Sequence, residues 1–131
     1  MKLQLLQPQE IEVFYILPAI RSKMALALKD EGMKQKEIAK KLCLQESTVS
    51  QYIHSKRGTI AKFGSEVEEQ IKRSAELIKS KVDLIAETQK VLALVKKDKK
   101  TICALHRELA DVPNSCDVCF TRSEVLSEIK V

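Results

Sequence analysis

The chain has 131 residues, of which 44% are hydrophobic and only 4% aromatic, and it contains no tryptophan. This composition supports one folded domain, with at most a small appendage, and the scarcity of aromatic residues, glycine and proline disfavours a β-sandwich or barrel. The net charge is +5, and no apolar run reaches the roughly 18 residues that a membrane span needs.

The N-terminal residues 1–8 lack the apolar core of a signal peptide. Together with the absence of a membrane segment, this predicts a soluble cytoplasmic protein of the all-α class.

Positive charge is concentrated in residues 17–62, which hold ten basic and four acidic side chains. A localised basic surface suits a protein that binds a polyanion, because neutralised phosphates release their counterions. A lysine-rich helical surface that is merely solvated has the same composition, so charge alone leaves both interpretations open.

Three helices are predicted between residues 18 and 55. The first begins at Pro18, because proline in a first turn gives up no intrahelical bond, and it ends before Gly32. A second helix is expected from about 34 to 42 and a third from about 46 to 55. Their apolar positions recur at helical spacing: Ile20, Met24, Ala27, Leu28, Ile38, Ala39, Leu42, Val49, Tyr52 and Ile53. The apolar residues 11–17 fit either a short helix or an extended arm.

The second and third helices form a predicted helix-turn-helix unit, whose second helix enters the major groove of DNA. Ala39 is small where the two helices cross, and Val49 is its buried counterpart. Candidate base contacts on the third helix are short and polar: Gln45, Glu46, Ser47, Thr48, Ser50 and Gln51. Lys56 and Arg57 are candidate phosphate contacts, and His54 is expected to face DNA or solvent.

Residues 16–21, 35–39, 47–53 and 56–58 resemble small archaeal-type predicted transcriptional regulators. Members of that family carry a Cro/phage-repressor-like helix-turn-helix and a C-terminal cysteine-rich segment. The resemblance covers residues 9–62 well and the C-terminal Cys/His cluster more loosely, and it implies a DNA-binding regulator.

One position departs from this family pattern. The turn between the two helices usually carries a glycine with positive φ, and here it carries Cys43. A non-glycine residue in that conformation costs about 1 kcal/mol. We expect the thiol to be a buried and inert small group, in preference to a redox sensor or an additional metal ligand.

Residues 63–100 are predicted to form one long helix. Ser65 and Glu68 have the spacing of a capping box, and no glycine or proline follows until Pro113. A helix of about 30 residues would span about 45 Å, too long for a head of residues 1–62 to cover alone. Its apolar stripe is expected to pair with a second copy of the chain, through Ile71, Ile78, Val82, Ile85 and Leu92.

Such a homodimer would bind double-stranded DNA at an inverted repeat. Two alternatives remain open for this helix. It folds back on its own head, or it breaks near residues 96–100 and forms a hairpin within the chain.

Residues 101–131 contain a small predicted Cys3His metal-binding knuckle. Cys103, His106, Cys116 and Cys119 have the spacing C-x2-H-x9-C-x2-C, and pairs three residues apart converge easily on one ion. Four such ligands suit structural zinc, and an iron–sulfur cluster is the alternative. The remaining interpretation is a set of ordinary small buried residues.

The sequence shows no motif of an enzyme, since it lacks a nucleophile elbow, a phosphate-binding glycine loop and paired carboxylates beside a histidine. We therefore expect a dimeric, sequence-specific DNA-binding regulator of transcription. The alternative is a protein-interaction adaptor with a helical head and a structural zinc knuckle. A head that binds protein should expose apolar anchors where the regulator exposes polar side chains.

Overall fold

The computed structural model describes residues 7–54, 62–97, 101, 103–105 and 107. Every regular element in these ranges is a helix, which confirms the all-α prediction for this part of the chain. In chain order the elements are α1 (Pro8–Ile11), a π-helical segment (Glu12–Ile16), α2 (Leu17–Asp30), α3 (Gln35–Lys41), α4 (Glu46–His54), α5 (Ser65–Leu77) and α6 (Lys81–Lys97).

Helical structure continues through Pro18, with a wider turn in front of it. In the π-helical segment the Leu17 N–H donates to the carbonyl of Glu12, five residues earlier. Proline has no N–H, and its ring crowds the carbonyl four residues before it, which here belongs to Phe14. A single π turn relieves such crowding, so we attribute the wider turn to Pro18. The apolar residues 11–17 are therefore helical, and the extended-arm alternative is wrong.

The end of α2 follows the predicted glycine cap. Gly32 has a φ of 91°, and its N–H donates to the carbonyl of Lys29 at 2.8 Å. The Met33 N–H donates to the carbonyl of Leu28 at 3.1 Å. These two bonds form a Schellman motif, which satisfies carbonyls that the last helical turn leaves open.

One apolar core joins the described helices, and α2 lies at its centre. The helix α2 packs against α3, α4, α5 and α6. The predicted apolar positions of α2, α3 and α4 are confirmed as core residues, with Ala27 and Ile53 only partly buried at its edge. Leu105, in the described part of the C-terminal region, is buried in the same core.

The helices α2 and α5 pack against each other, and each carries small buried residues. They are Ser22 and Ala25 on α2, and Ser74 and Ala75 on α5. The hydroxyl of Ser74 accepts a hydrogen bond from the side-chain amide of Gln70 at 2.9 Å, so its burial leaves no unpaired oxygen.

The single long helix predicted for residues 63–100 is wrong. The chain leaves the helix after Leu77, Ile78 has an extended ψ of 116°, and α6 starts at Lys81. The helix α6 then packs against α5. The chain therefore folds back on itself, as one alternative proposed, but the break lies at residues 78–80 and not near residues 96–100.

Side-chain caps explain where the break falls. The Asp83 N–H donates to the hydroxyl of Ser80 at 3.2 Å, and the Lys79 N–H donates to the Asp83 carboxylate at 3.0 Å. These bonds stabilise the start of a new helix at Lys81. The expected capping box at Ser65 is not formed, because the N-cap is Gly64 and Ser65 is already inside α5.

The break also changes the role of the apolar residues that were predicted to form the dimer interface. Ile71, Ile78 and Leu92 are buried within the chain, so they are core residues of the folded protomer. Val82 and Ile85 remain 74% and 64% exposed on α6. An ion pair of 3.6 Å between Lys96 and Glu12 joins the end of α6 to the π-helical segment. None of the described helices is both long and apolar enough to cross a membrane.

Candidate nucleic-acid interface

Two backbone hydrogen bonds close the short turn between α3 and α4. The Leu44 N–H donates to the carbonyl of Ala39 at 2.9 Å, and the Cys43 N–H donates to the carbonyl of Lys40 at 3.4 Å. This repeats the Schellman motif of α2, with Cys43 in the position that Gly32 holds there. The turn directs the chain into α4, and both helices pack against α2.

Cys43 has a φ of 54°, and it is the one non-glycine residue with positive φ in the described part of the chain. The left-handed conformation that the family pattern predicts at this turn is therefore confirmed. The expectation that the thiol is buried is wrong, because Cys43 is exposed. In a Schellman motif the left-handed residue stands at the helix end and projects outward, whereas Leu42 and Leu44 beside it pack against the core.

The start of α4 is fixed by the backbone of Gln45. Its carbonyl accepts hydrogen bonds from the N–H groups of Thr48 at 3.0 Å and Val49 at 3.1 Å. Glu46 lies in the first turn, where a negative charge interacts favourably with the helix dipole. A glutamate there is also able to accept a hydrogen bond from cytosine in the major groove.

The two sides of α4 differ sharply. Val49 and Tyr52 are buried against the core, and Ile53 packs at its edge. Four of the six candidate base contacts are exposed, and Thr48 and Ser50 are half-buried: Gln45, Glu46, Ser47, Thr48, Ser50 and Gln51. The outer side of α4 is therefore polar and composed of hydrogen-bonding groups that match base edges.

Gln35 is a residue of this region that sequence reasoning missed. Its side-chain amide nitrogen lies 3.2 Å from Nε2 of His54, which is exposed at the end of α4. The bond joins the first residue of α3 to the last residue of α4. A polar residue at the start of α3 was visible in the sequence, but the pairing depends on the crossing of two helices and has no local signal.

Exposed lysines lie on α3 and at its N-cap. Lys34, Lys36 and Lys40 are exposed, and they form no ion pair with any residue that the structure describes. Lys36 and Lys40 are four positions apart on α3 and therefore share one side of that helix. The predicted phosphate contacts Lys56 and Arg57 lie outside the described residues.

The predicted metal centre lies almost entirely outside the described residues. Cys103 is described, half-buried and not in a disulfide, whereas His106, Cys116 and Cys119 are not described. Within the described ranges, no group of three or more His, Cys, Asp or Glu side chains is arranged to hold a metal ion. The Cys3His centre therefore stays a prediction.

Comparisons with protein-family models, with curated proteins and with solved structures found no match to this chain.

Proposed function

We propose that the protein is a sequence-specific regulator of transcription that binds double-stranded DNA through α4. The observation that carries this proposal is the contrast between the two sides of α4, apolar towards the core and polar towards solvent. Helices that read base edges in the major groove present short polar side chains in this way.

The distribution of exposed apolar residues favours DNA over a protein partner at this surface. Among the described residues, the large hydrophobic side chains that are exposed are Val13, Phe14, Leu77, Val82 and Ile85. None of them belongs to α3, the turn or α4. A surface that binds protein through hot spots would place apolar or aromatic anchors at its centre.

Exposed lysines on α3 and at its N-cap support the same proposal through charge. Lys34, Lys36 and Lys40 are exposed beside α4 in the sequence segment that carries the excess positive charge. Such side chains hold the protein on the phosphate backbone without selecting a sequence, while α4 selects the bases.

Selection of tight-binding duplexes from a randomised pool tests the proposal. The selected duplex should share one motif, and Gln51→Ala should relax the preference at one base pair, at a cost of about 1–3 kcal/mol. Gln9→Ala, at an exposed glutamine of α1, is the matched control and should bind like the wild type. Recovery of random sequences, with Gln51→Ala indistinguishable from the control, would contradict base readout by α4.

A homodimer is the second element of the proposal. Val82 and Ile85 are the two residues of the predicted dimer interface that remain exposed. An apolar pair on one helix suits contact with a second copy of the chain. Two copies would read half-sites about 34 Å apart, or a multiple of that distance, in an inverted repeat.

Sedimentation distinguishes this dimer from a structural role of the same helix. Val82→Lys combined with Ile85→Lys should give folded monomers with weaker operator binding. Ile78→Lys should instead unfold the chain, because Ile78 is 1% exposed within the protomer. A wild-type protein that sediments as a monomer at micromolar concentration would contradict the dimer.

A protein-interaction adaptor is the second candidate function, and one observation favours it. Phe14 is 62% exposed beside the exposed Val13 on the π-helical segment, and an exposed aromatic residue is a typical protein-binding anchor. If the protein has no affinity for duplex DNA, this apolar pair becomes the first surface to test, with Phe14→Ala as the variant.

A further inference from the structure

A groove of about 310 Å³ lies between α2, the α3–α4 turn and α6. Its walls are mainly aliphatic and come from all three elements: Leu17, Leu42, Leu44, Leu84 and Ile85. Small-molecule sites in proteins typically measure about 300–1,000 Å³ and have mostly apolar walls with a few polar groups. The groove therefore has the size and lining of a site for a small ligand.

Four polar side chains line the groove: Arg21, Cys43, Thr88 and Gln89. Arg21 is half-buried, and it forms neither a hydrogen bond nor an ion pair with any residue that the structure describes. Lys23, two positions along α2, is different, because it pairs with Glu68 at 3.2 Å. No acidic residue lines the groove in the described part of the chain, so the charge of Arg21 is not neutralised there.

We propose that this groove binds a small apolar carboxylate. A guanidinium presents parallel N–H groups that match the two oxygens of a carboxylate, and such a ligand would pair with Arg21, which has no partner among the described residues. Thr88 and Gln89 offer further hydrogen-bond donors for the same head group. The aliphatic walls bury the hydrocarbon part of the ligand, so charge and apolar burial act on the two ends of one molecule.

The position of the groove also suggests what a ligand does there. A molecule in it would contact the turn that leads into α4 and, at the same time, the outer helix α6. On the proposed function, which this step assumes, the carboxylate is an effector, and its binding is linked to DNA affinity. Linkage is reciprocal, so DNA must change the affinity for the carboxylate by the same factor.

Calorimetric titration of the full-length protein with octanoate tests the site, and 1-octanol is the uncharged probe of the same chain length. Octanoate should bind with saturation and more tightly than 1-octanol. Arg21→Gln should weaken octanoate about tenfold or more and leave 1-octanol unchanged, because only the charged contact is lost. Lys29→Gln, which removes an exposed charge from the same helix outside the groove, is the control and should bind like the wild type.

A second measurement does not depend on the folding of a variant. Cys43 lines the groove and is exposed, so bound octanoate should slow its alkylation by iodoacetamide, followed by mass spectrometry of its peptide. The alkylation rate of Cys43 in protein without octanoate is the reference. Three results would each overturn the proposal: no saturable binding of octanoate, equal affinity for 1-octanol, or no protection of Cys43 by octanoate.

Titration of duplex DNA with and without octanoate separates this proposal from the proposed function. If octanoate binds through Arg21 but the protein has no affinity for DNA, the ligand site stands and the regulator is wrong. If DNA binds but octanoate does not, the groove proposal is wrong and the regulator stands. If both bind and neither changes the affinity for the other, the effector role is wrong.

Discussion

The side-chain amide nitrogen of Gln35 lies 3.2 Å from Nε2 of His54 and ties the first residue of α3 to the last residue of α4. When the imidazole is neutral with its proton on Nδ1, the amide donates and Nε2 accepts. The helices α3 and α4 are joined in chain order at the turn between them. This bond joins them a second time, at the opposite ends of α3 and α4.

We expect this bond to position α4 for DNA binding. Gln35→Ala and His54→Ala should each weaken operator binding by about 0.5–1.5 kcal/mol, the usual free-energy contribution of one hydrogen bond. The double variant should lose no more than either single variant, because both changes remove one shared interaction. Additive losses in this cycle, measured by fluorescence anisotropy, would mean that the two residues act on DNA independently.

Cys43 and Gly32 occupy equivalent positions at the ends of two helices, so their variants should have opposite effects on stability. Cys43→Gly should stabilise the fold by about 1 kcal/mol, because it relieves a left-handed conformation at an exposed residue. Gly32→Ala should destabilise the fold by a similar amount. A Cβ at position 32 meets no atom within 4 Å, so the loss of stability comes from backbone strain and not from a steric clash. Urea midpoints measure both, and a lower midpoint for Cys43→Gly would contradict the prediction.

The pKa of Glu31 lies above its ordinary value of 4.5. A hydrogen bond with Glu76 is the main cause, and desolvation and the repulsion between the two carboxylates raise the pKa further. A carboxyl group with a raised folded-state pKa contributes stability that is fully present below pH 4.5 and is lost as the pH rises through the folded-state pKa. Glu31→Gln should therefore raise the thermal midpoint at neutral pH and have no effect in acid.

Thermal melts across the acidic range measure this pH dependence. Glu37→Gln is the control for the loss of one exposed glutamate charge. A stabilisation by Glu31→Gln that stays constant from acid to neutral pH would show that titration of the Glu31 carboxyl is not its cause.

The metal centre makes a separate prediction for the C-terminal segment. Cys116→Ser should abolish metal binding, since the predicted site has four ligands, whereas Cys43→Ser should leave the metal content intact. Elemental analysis and a visible spectrum of protein purified without oxygen measure this. We expect a colourless protein with one zinc ion per chain. A brown protein that contains iron and sulfide would indicate an iron–sulfur cluster. Loss of the metal in Cys43→Ser would show that the four ligands are wrongly assigned.

The helices α2, α3 and α4 could be predicted from the sequence because their determinants are local. Gly32 ends α2 through a conformation that glycine favours, and the burial of Ile38 and Val49 follows from helical periodicity. Cys43 adopts the positive φ that was expected at this turn.

The break between α5 and α6 could not be predicted from glycine or proline, because neither residue occurs there. Ser80 and Asp83 carry the spacing of an N-terminal cap, and that signal was present in the sequence. A continuous stripe of apolar residues spans the break, because both halves of the hairpin bury one side. The groove and the Gln35–His54 bond had no such signal, since each depends on how separate helices pack.

A salt titration of binding to the selected duplex is the most direct measurement of DNA recognition by α4. A regulator predicts a linear fall of log K with log salt, with a slope of about −0.9 for each phosphate contact. It also predicts that the selected duplex binds about 10³-fold or more tightly than a scrambled one at the same salt. The absence of duplex affinity at low salt, in protein whose helical content is intact, would contradict DNA recognition and leave the adaptor as the function.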